Sequence, residues 1–246
     1  MGLKDLINKY KEEELIFIVG GGPSARFINI EKIKPYSTMA VNSGIILIPF
    51  ANFFVSDDRG VATWSYFKNL SELNCLYLLY EDKLKNCVQH LNINKVIFYK
   101  HTWFYSPENN KYNFEGIKLN KTTKIIGSRT SMGSAVHLCY LMGYKRIILV
   151  GNDCQLDKNG KRYFWQYWAQ NEQPYRLSGI PFSNRTQHIG FDKKSFEEYW
   201  KSFVKVNRKL LKTELKIIDC SDTDFDFFEK MSLEQILKKH GGINEP

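Results

Sequence analysis

The sequence predicts an α/β fold: a Rossmann-like, doubly wound, mostly parallel sheet with helices on both faces and a long aromatic lid segment. Three observations predict it. Leu15–Val19 (LIFIV) and Arg146–Val150 (RIILV) are unbroken apolar runs of strand length, as strands covered on both faces must be. Each run ends in a glycine-containing turn. Between and after them, short apolar runs alternate with helical patterns, the signature of repeated βαβ units. With 246 residues, one domain over 1–246 is expected, large enough to bury a substantial core.

The elements follow in order. Residues 3–13 read as a polar lead-in helix. After LIFIV comes the turn Gly20-Gly21-Gly22-Pro23-Ser24, then a short helix over Arg26–Ile33. Ser37–Asn42 and Ala51–Ser56 read as strands, Asp58–Leu70 as a helix. Cys75–Tyr80 and Lys95–Tyr99 are further strands, with a charged helical segment, Glu81–His90, between them. Residues 101–124 are polar and irregular. Ser131–Met142 has helical spacing, small residues at its start and a glycine stop at Gly143. RIILV follows and ends in Gly151-Asn152-Asp153. Residues 155–190 lack periodicity but are rich in aromatics, as a lid or insertion within the domain would be. An amphipathic helix over 192–212, a strand Lys216–Asp219 and a closing helix beginning at Ser232 complete the chain.

The net charge of +9 comes from 35 basic and 26 acidic residues. Such a balance suits nucleic acid, an anionic membrane surface or phosphorylated small molecules. The lysines are scattered and no arginine-rich run occurs, so nucleic acid is the unlikely partner among these. Five cysteines without a CxxC pattern suit free thiols in a reducing compartment. The first residues are too charged for a signal peptide, and no apolar run reaches a bilayer span, so a cytoplasmic protein with no membrane span is expected. Self-association as a homo-oligomer is left open.

Six places carry chemistry, the first four each with a structural alternative. Gly20, Gly21, Gly22, Pro23 and Ser24 leave a buried strand, where glycines admit a phosphate to the backbone and Ser24 can cap the next helix; a tight turn is the alternative. Asn42 and Ser43 end the second strand, where an amide can read a ribose or base, or form an Asx turn. Asp57 and Asp58 end the third, and adjacent carboxylates suit Mg²⁺ or a helix cap. The run from Ser128 to Ser134, with Arg129, Thr130, Ser131 and Gly133 as its nucleotide-binding candidates, opens a helix as a second anion site, or Ser131 is simply its cap. Asn152 and Asp153 stand at the tip of a central strand, where a carboxylate can hold a metal, a ribose or an acceptor hydroxyl. His188, on the lid segment, is a candidate base; His137, inside a helix, reads as structural.

The blocks GGGPSA (residues 20–25) and TSMGSAVHLCYLMGYKRIILVGND (residues 130–153) resemble the MptE-like family, named after archaeal 6-hydroxymethylpterin pyrophosphokinases, whose bacterial relatives include motility-associated glycosyltransferases. They are also similar to bacterial lipooligosaccharide sialyltransferases. The resemblance implies a nucleotide-dependent transferase. One form is a glycosyltransferase moving a sugar from a nucleotide sugar to a small-molecule or glycan acceptor. The other transfers diphosphate from a nucleoside triphosphate with Mg²⁺, the one cofactor implied, and a non-enzymatic nucleotide- or nucleic-acid-binding module is a further reading. Gly20 to Ser24, Asn42, Ser43, Asp57, Arg129, Thr130, Ser131, Gly133 and Asn152 would hold nucleotide, and Asp153 and His188 would act on the acceptor. His188 precedes an Ile-Gly pair here, whereas the sialyltransferase histidine follows one, and no histidine follows Asp153 at the pyrophosphokinase spacing.

Overall fold

The computed structural model describes all residues except 14, 104, 107–110, 113–116, 128–129, 178–192 and 241–246. The strands are β1 (Leu15–Val19), β2 (Ser37–Val41), β3 (Phe53–Ser56), β4 (Leu76–Tyr80), β5 (Val96–Trp103), β6 (Tyr105–Ser106), β7 (Lys111–Tyr112), β8 (Lys124–Gly127), β9 (Arg146–Val150), β10 (Lys216–Asp219) and β11 (Glu229–Lys230). The α-helices are α1 (Ile30–Ile33), α2 (Gly44–Leu47), α3 (Ser65–Lys68), α4 (Glu81–Leu84), α5 (Ser131–Met142), α6 (Lys193–Val206), α7 (Arg208–Thr213) and α8 (Leu233–His240).

Nine strands form one sheet in the order β11-β10-β9-β1-β2-β3-β4-β5-β8, and every pair in it is parallel. The chain winds outward from β1 through β2, β3, β4, β5 and β8. Helix α5 then carries it back across the sheet to β9, on the other side of β1. The winding therefore reverses between β1 and β9, which is where open α/β sheets present a ligand crevice at the carboxyl ends of their strands.

The apolar runs of β1 and β9 are inner strands, as continuous burial required. Ile16, Ile18, Ile147 and Leu149 pack with α5, with Tyr199, Trp200 and Phe203 of α6, and with Leu3 and Leu6 of the lead-in turn. Leu15, Phe17, Val19, Ile148 and Val150 pack on the opposite face with Ile33, Ile45, Phe67, Leu84 and Ile236. Each fully buried Leu, Ile or Phe contributes about 1.5–3 kcal/mol of transfer free energy, so this two-sided burial is the main source of order. Gly143 ends α5 in the left-handed region at φ 103°, a conformation glycine adopts without steric cost.

Several boundaries differ from the expectation. Residues 101–124 are not all irregular: β5 runs on to Trp103, and β8 adds an edge strand beside it. The helix expected over Asp58–Leu70 breaks into a 3-10 turn at Arg59–Thr63, the single turn α3, and a second 3-10 turn. The charged segment after β4 is helical only over α4 and a short 3-10 turn. Asn207 separates α6 from α7, its amide donating to the Ile117 and Phe203 carbonyls and accepting from the Leu119 N–H. Ser232 and Gln235 do cap α8 reciprocally. All five cysteines are free. No helix among the described residues is long and apolar enough to cross a membrane.

Candidate functional site

The turn after β1 and the turn after β9 press directly on each other. Gly20 N–H donates to the Val150 carbonyl and Gly22 N–H to that of Gly151. The Ser24 N–H and hydroxyl both donate to Asp153 Oδ2, at 3.2 and 2.9 Å. A Cβ on Gly22 would collide with that same oxygen and stand 2.6 Å from the Gly151 carbonyl oxygen. Glycine is thus required at 22 by a neighbouring strand end, not by a ligand alone. Pro23 has no N–H, which leaves Gly21 as the residue in the turn whose N–H bonds nothing among the described residues. Ser24 is not the helix cap the sequence suggested. Gly22 takes the N-cap position of a 3-10 turn, Pro23–Phe27, and the Ser24 hydroxyl goes to Asp153 instead.

Asp153 is buried at the end of an inner strand, in contact with the glycine turn, as the topology required. Burial pushes its carboxyl up to about 6, against the lowering effect of the two Ser24 hydrogen bonds, with Asp219 and Asp222 adding a smaller upward push. Asn152 is held alongside by its backbone, whose N–H donates to Ser221 Oγ.

A second cluster lies at the ends of β2 and β3. Asp57 is buried, and its two carboxylate oxygens accept from the hydroxyls of Ser131 and Ser134, the latter at 2.8 Å. His101, at the far end of β5, brings Nε2 within 3.6 Å of Asp57 Oδ2 and stacks on Tyr80 with 4.0 Å between ring centroids. Burial pushes the His101 imidazole down to about 4, opposed by the Asp57 charge. Asn42, left-handed at φ 51°, donates from Nδ2 to Ser131 Oγ at 3.3 Å. Its Oδ1 and the Ser43 hydroxyl oxygen are buried without a hydrogen-bond partner among the described residues.

Thr130, rather than Ser131, caps α5, its Oγ1 accepting from Met132 N–H at 3.2 Å. Gly133 lies buried in that first turn. Asp58 takes the capping role, accepting from Gly60 N–H at 2.8 Å. Asp57 thus accepts from two hydroxyls, while Asp58 is turned to its own 3-10 turn. Among the described residues no three or more Asp, Glu, His or Cys gather as metal ligands. His137 is the structural histidine expected: Nδ1 accepts from Ile126 N–H, and Nε2 bonds the Asn120 carbonyl. Arg129 and His188 lie outside the described residues.

The described part of the aromatic segment packs on the glycine turn. Phe164 N–H donates to the Gly21 carbonyl, and Phe164 and Trp165 are fully buried. Arg26 lies between the rings of Phe27 and Tyr167, and bonds Asp157 at 3.4 Å. A large cavity among the described residues, about 1330 Å³, is elsewhere. It opens at the amino ends of β9 and β10 among Lys145, Arg146, Lys205, Arg208 and Lys216, and contains none of the predicted site residues. The carboxyl ends of the strands are the better candidate because they join buried carboxylates to polar atoms left unpaired among the described residues.

Sequence reading missed His101, and it placed Ser134 in the run that opens the helix without foreseeing Asp57 as its partner. His101 was hidden because its strand was expected to end at Tyr99. Ser134 carries helical spacing, but only the pairing of α5 with the sheet aims it at Asp57.

The fold is a Rossmann-like α/β architecture shared with known glycosyltransferases. The chain is similar to an asparagine-to-alanine variant of the sialyltransferase CST-II in complex with CMP, at 15% identity and TM-score 0.50, over 89% of this chain and 86% of that one. It is also similar to CstII from Campylobacter jejuni with a substrate analogue, CMP-3FNeuAc, at 15% identity and TM-score 0.49, over 89% and 86%. A third, a tyrosine-to-phenylalanine variant of CST-II with CMP, has 17% identity and TM-score 0.46, over 84% and 80%. The chain matches no family model and no curated protein.

Proposed function

We propose that this protein is a glycosyltransferase that takes a sugar from an activated nucleotide donor and passes it to a hydroxyl of a small-molecule or glycan acceptor. One observation carries the reading: among the described residues, Asn42 Oδ1 and Ser43 Oγ are buried and unpaired at the carboxyl end of β2, beside the point where the winding reverses. A buried polar atom left without a partner costs about 1–3 kcal/mol, which a polar ligand bound there recovers. The fold adds support, because the similarly folded CST-II variant was described with CMP bound.

In this reading the nucleotide lies across the ends of β1, β2 and β9. Gly20 to Ser24, chiefly the open Gly21 N–H, and the start of α5 with Thr130, Ser131 and Gly133 face its phosphate. Arg129 is assigned as a phosphate clamp, and Asn152 borders the same crevice. The acceptor hydroxyl oxygen attacks the anomeric carbon, the bond from that carbon to the phosphate oxygen breaks, and its electron pair leaves with the nucleotide. The acceptor proton passes to Asp153, whose value of about 6 leaves it ionised at neutral pH yet basic enough to help. His188 is the alternative proton acceptor.

Calorimetric titration with CMP, UMP, GMP and AMP tests the binding half. At least one should bind, and Asn42→Leu should weaken it by about tenfold, the size of one lost hydrogen bond. No binding of any of the four would overturn the reading. Consumption of the matching nucleotide sugar against a panel of glycan acceptors tests the chemical half.

A further inference from the structure

We infer that Asp57 is a positioning residue which, through Ser131, locks the Asn42 amide with its oxygen toward the crevice, so that the β2 end of the site binds a ribose hydroxyl and selects ribonucleotides over deoxyribonucleotides. The inference rests on the nucleotide reading above and sharpens it.

Hydrogen-bond polarity carries it. An ionised carboxylate has no proton to give, so each hydroxyl facing it must donate. Ser131 therefore spends its single proton on Asp57. Its oxygen then meets Asn42 as an acceptor only, and the amide must offer N–H, at 3.3 Å. Oxygen and nitrogen of an amide are nearly the same shape, and a hydrogen-bond network decides which way they point. Here the decision comes from Asp57, two links away. Ser134 reinforces it by donating to the other carboxylate oxygen at 2.8 Å, and His101, held down to about 4 by burial, adds no fixed positive charge.

The consequence is at the other end of the amide. Asn42 Oδ1 is presented buried and, among the described residues, unpaired, beside the equally unpaired Ser43 hydroxyl. An amide oxygen accepts and cannot donate. A phosphate oxygen is also an acceptor, so it is rejected at this position. A hydroxyl fits, and a vicinal pair of hydroxyls can use both atoms, one donating to Asn42 and the other exchanging a hydrogen bond with Ser43. Position supports ribose as the source: Asn42 stands twenty residues beyond Gly22, at the end of the second strand, where dinucleotide-binding folds place an acidic side chain on the ribose hydroxyl.

The test is calorimetric titration with CMP, its 2′-deoxy form and its 3′-deoxy form, repeated with the uridine set. The wild type should bind the ribonucleotide about tenfold more tightly than at least one deoxy form. Asp57→Asn supplies a donor where Ser131 needs an acceptor, and Ser131→Ala cuts the relay without changing charge. Each should bring the ribose preference close to one by weakening the ribonucleotide and leaving the deoxy form little changed. Adding Asn42→Asp to Asp57→Asn restores an obligate acceptor at 42, and the preference should return. Equal wild-type affinity for ribo and deoxy forms would overturn the proposal while leaving the nucleotide reading standing. So would variants that weaken both forms by the same factor, since that is what a purely structural role of Asp57 produces. No binding of any nucleotide would overturn both.

Discussion

The two halves of the crevice differ in how completely the protein satisfies them. At β1 and β9 the glycine turn and Asp153 close on each other: Gly20, Gly22 and Ser24 all donate to the neighbouring strand end. At β2 and β3 the network stops short. Asp57 accepts a hydroxyl on each oxygen, from Ser131 and Ser134, but Asn42 and Ser43 each leave a buried polar atom unpaired among the described residues. A glycine run after a strand is therefore partly a packing device, allowing a second strand end to approach. The ligand-reading chemistry is concentrated one strand away, where groups have been desolvated but not paired.

The largest effect that would break this comparison is catalytic. Asp153→Asn keeps the shape of the side chain and removes its basicity. If the closed half holds the base, turnover should fall on the order of a hundredfold, with a smaller change in nucleotide affinity. Turnover reduced by only a few fold would move proton acceptance to His188. The same residue makes a pH prediction. Its folded value of about 6 lies above the ordinary 3.8, so the folded state favours the protonated form. That contribution to stability is fully present below about pH 4 and is lost as pH rises through 6. Chemical denaturation at pH 4 and pH 7 should show the loss in the wild type, on the order of 2 kcal/mol, and Asp153→Asn should lack it.

Neighbouring glycines sharpen the contrast. Gly22→Ala forces a Cβ against the Gly151 carbonyl and the Asp153 carboxylate, and overpacking of this kind costs about 1–3 kcal/mol. Gly21→Ala meets instead the Ser43 hydroxyl and, at 3.2 Å, the Tyr163 ring. A serine side chain can rotate away, so thermal unfolding should move less, while nucleotide affinity falls because Ser43 is displaced. Equal losses of stability at both positions would erase the distinction. The smallest effect is expected at Arg26, which fastens the aromatic segment to the turn through Tyr167 and Asp157. Arg26→Ala should cost about 1 kcal/mol by thermal unfolding and speed amide exchange over 157–167.

Much of the fold was legible in sequence. LIFIV and RIILV are apolar at every position because both faces of an inner parallel strand are covered, and that pattern needs no partner to be recognised. Strand-end turns were legible for the same reason, and with them Asp153, Asn42 and Asp57. Short elements were not: β8, β11 and the broken helix after Asp58 depend on neighbours rather than on their own periodicity.

The sequence by itself determined the doubly wound class, the inner strands, the stop at Gly143 and the polar residues that stand at strand ends. These follow from local sterics and from the burial that each segment demands. Only the tertiary structure decided which of those residues are spent and which remain open. It set Ser24 on Asp153 rather than on a helix end, Thr130 rather than Ser131 at the cap, and Ser134 and His101 around Asp57. Hydrogen-bond pairing between residues more than seventy positions apart has no signature in local sequence. It depends on strand order and on the crossing of α5, and so does the chain from Asp57 through Ser131 that orients Asn42.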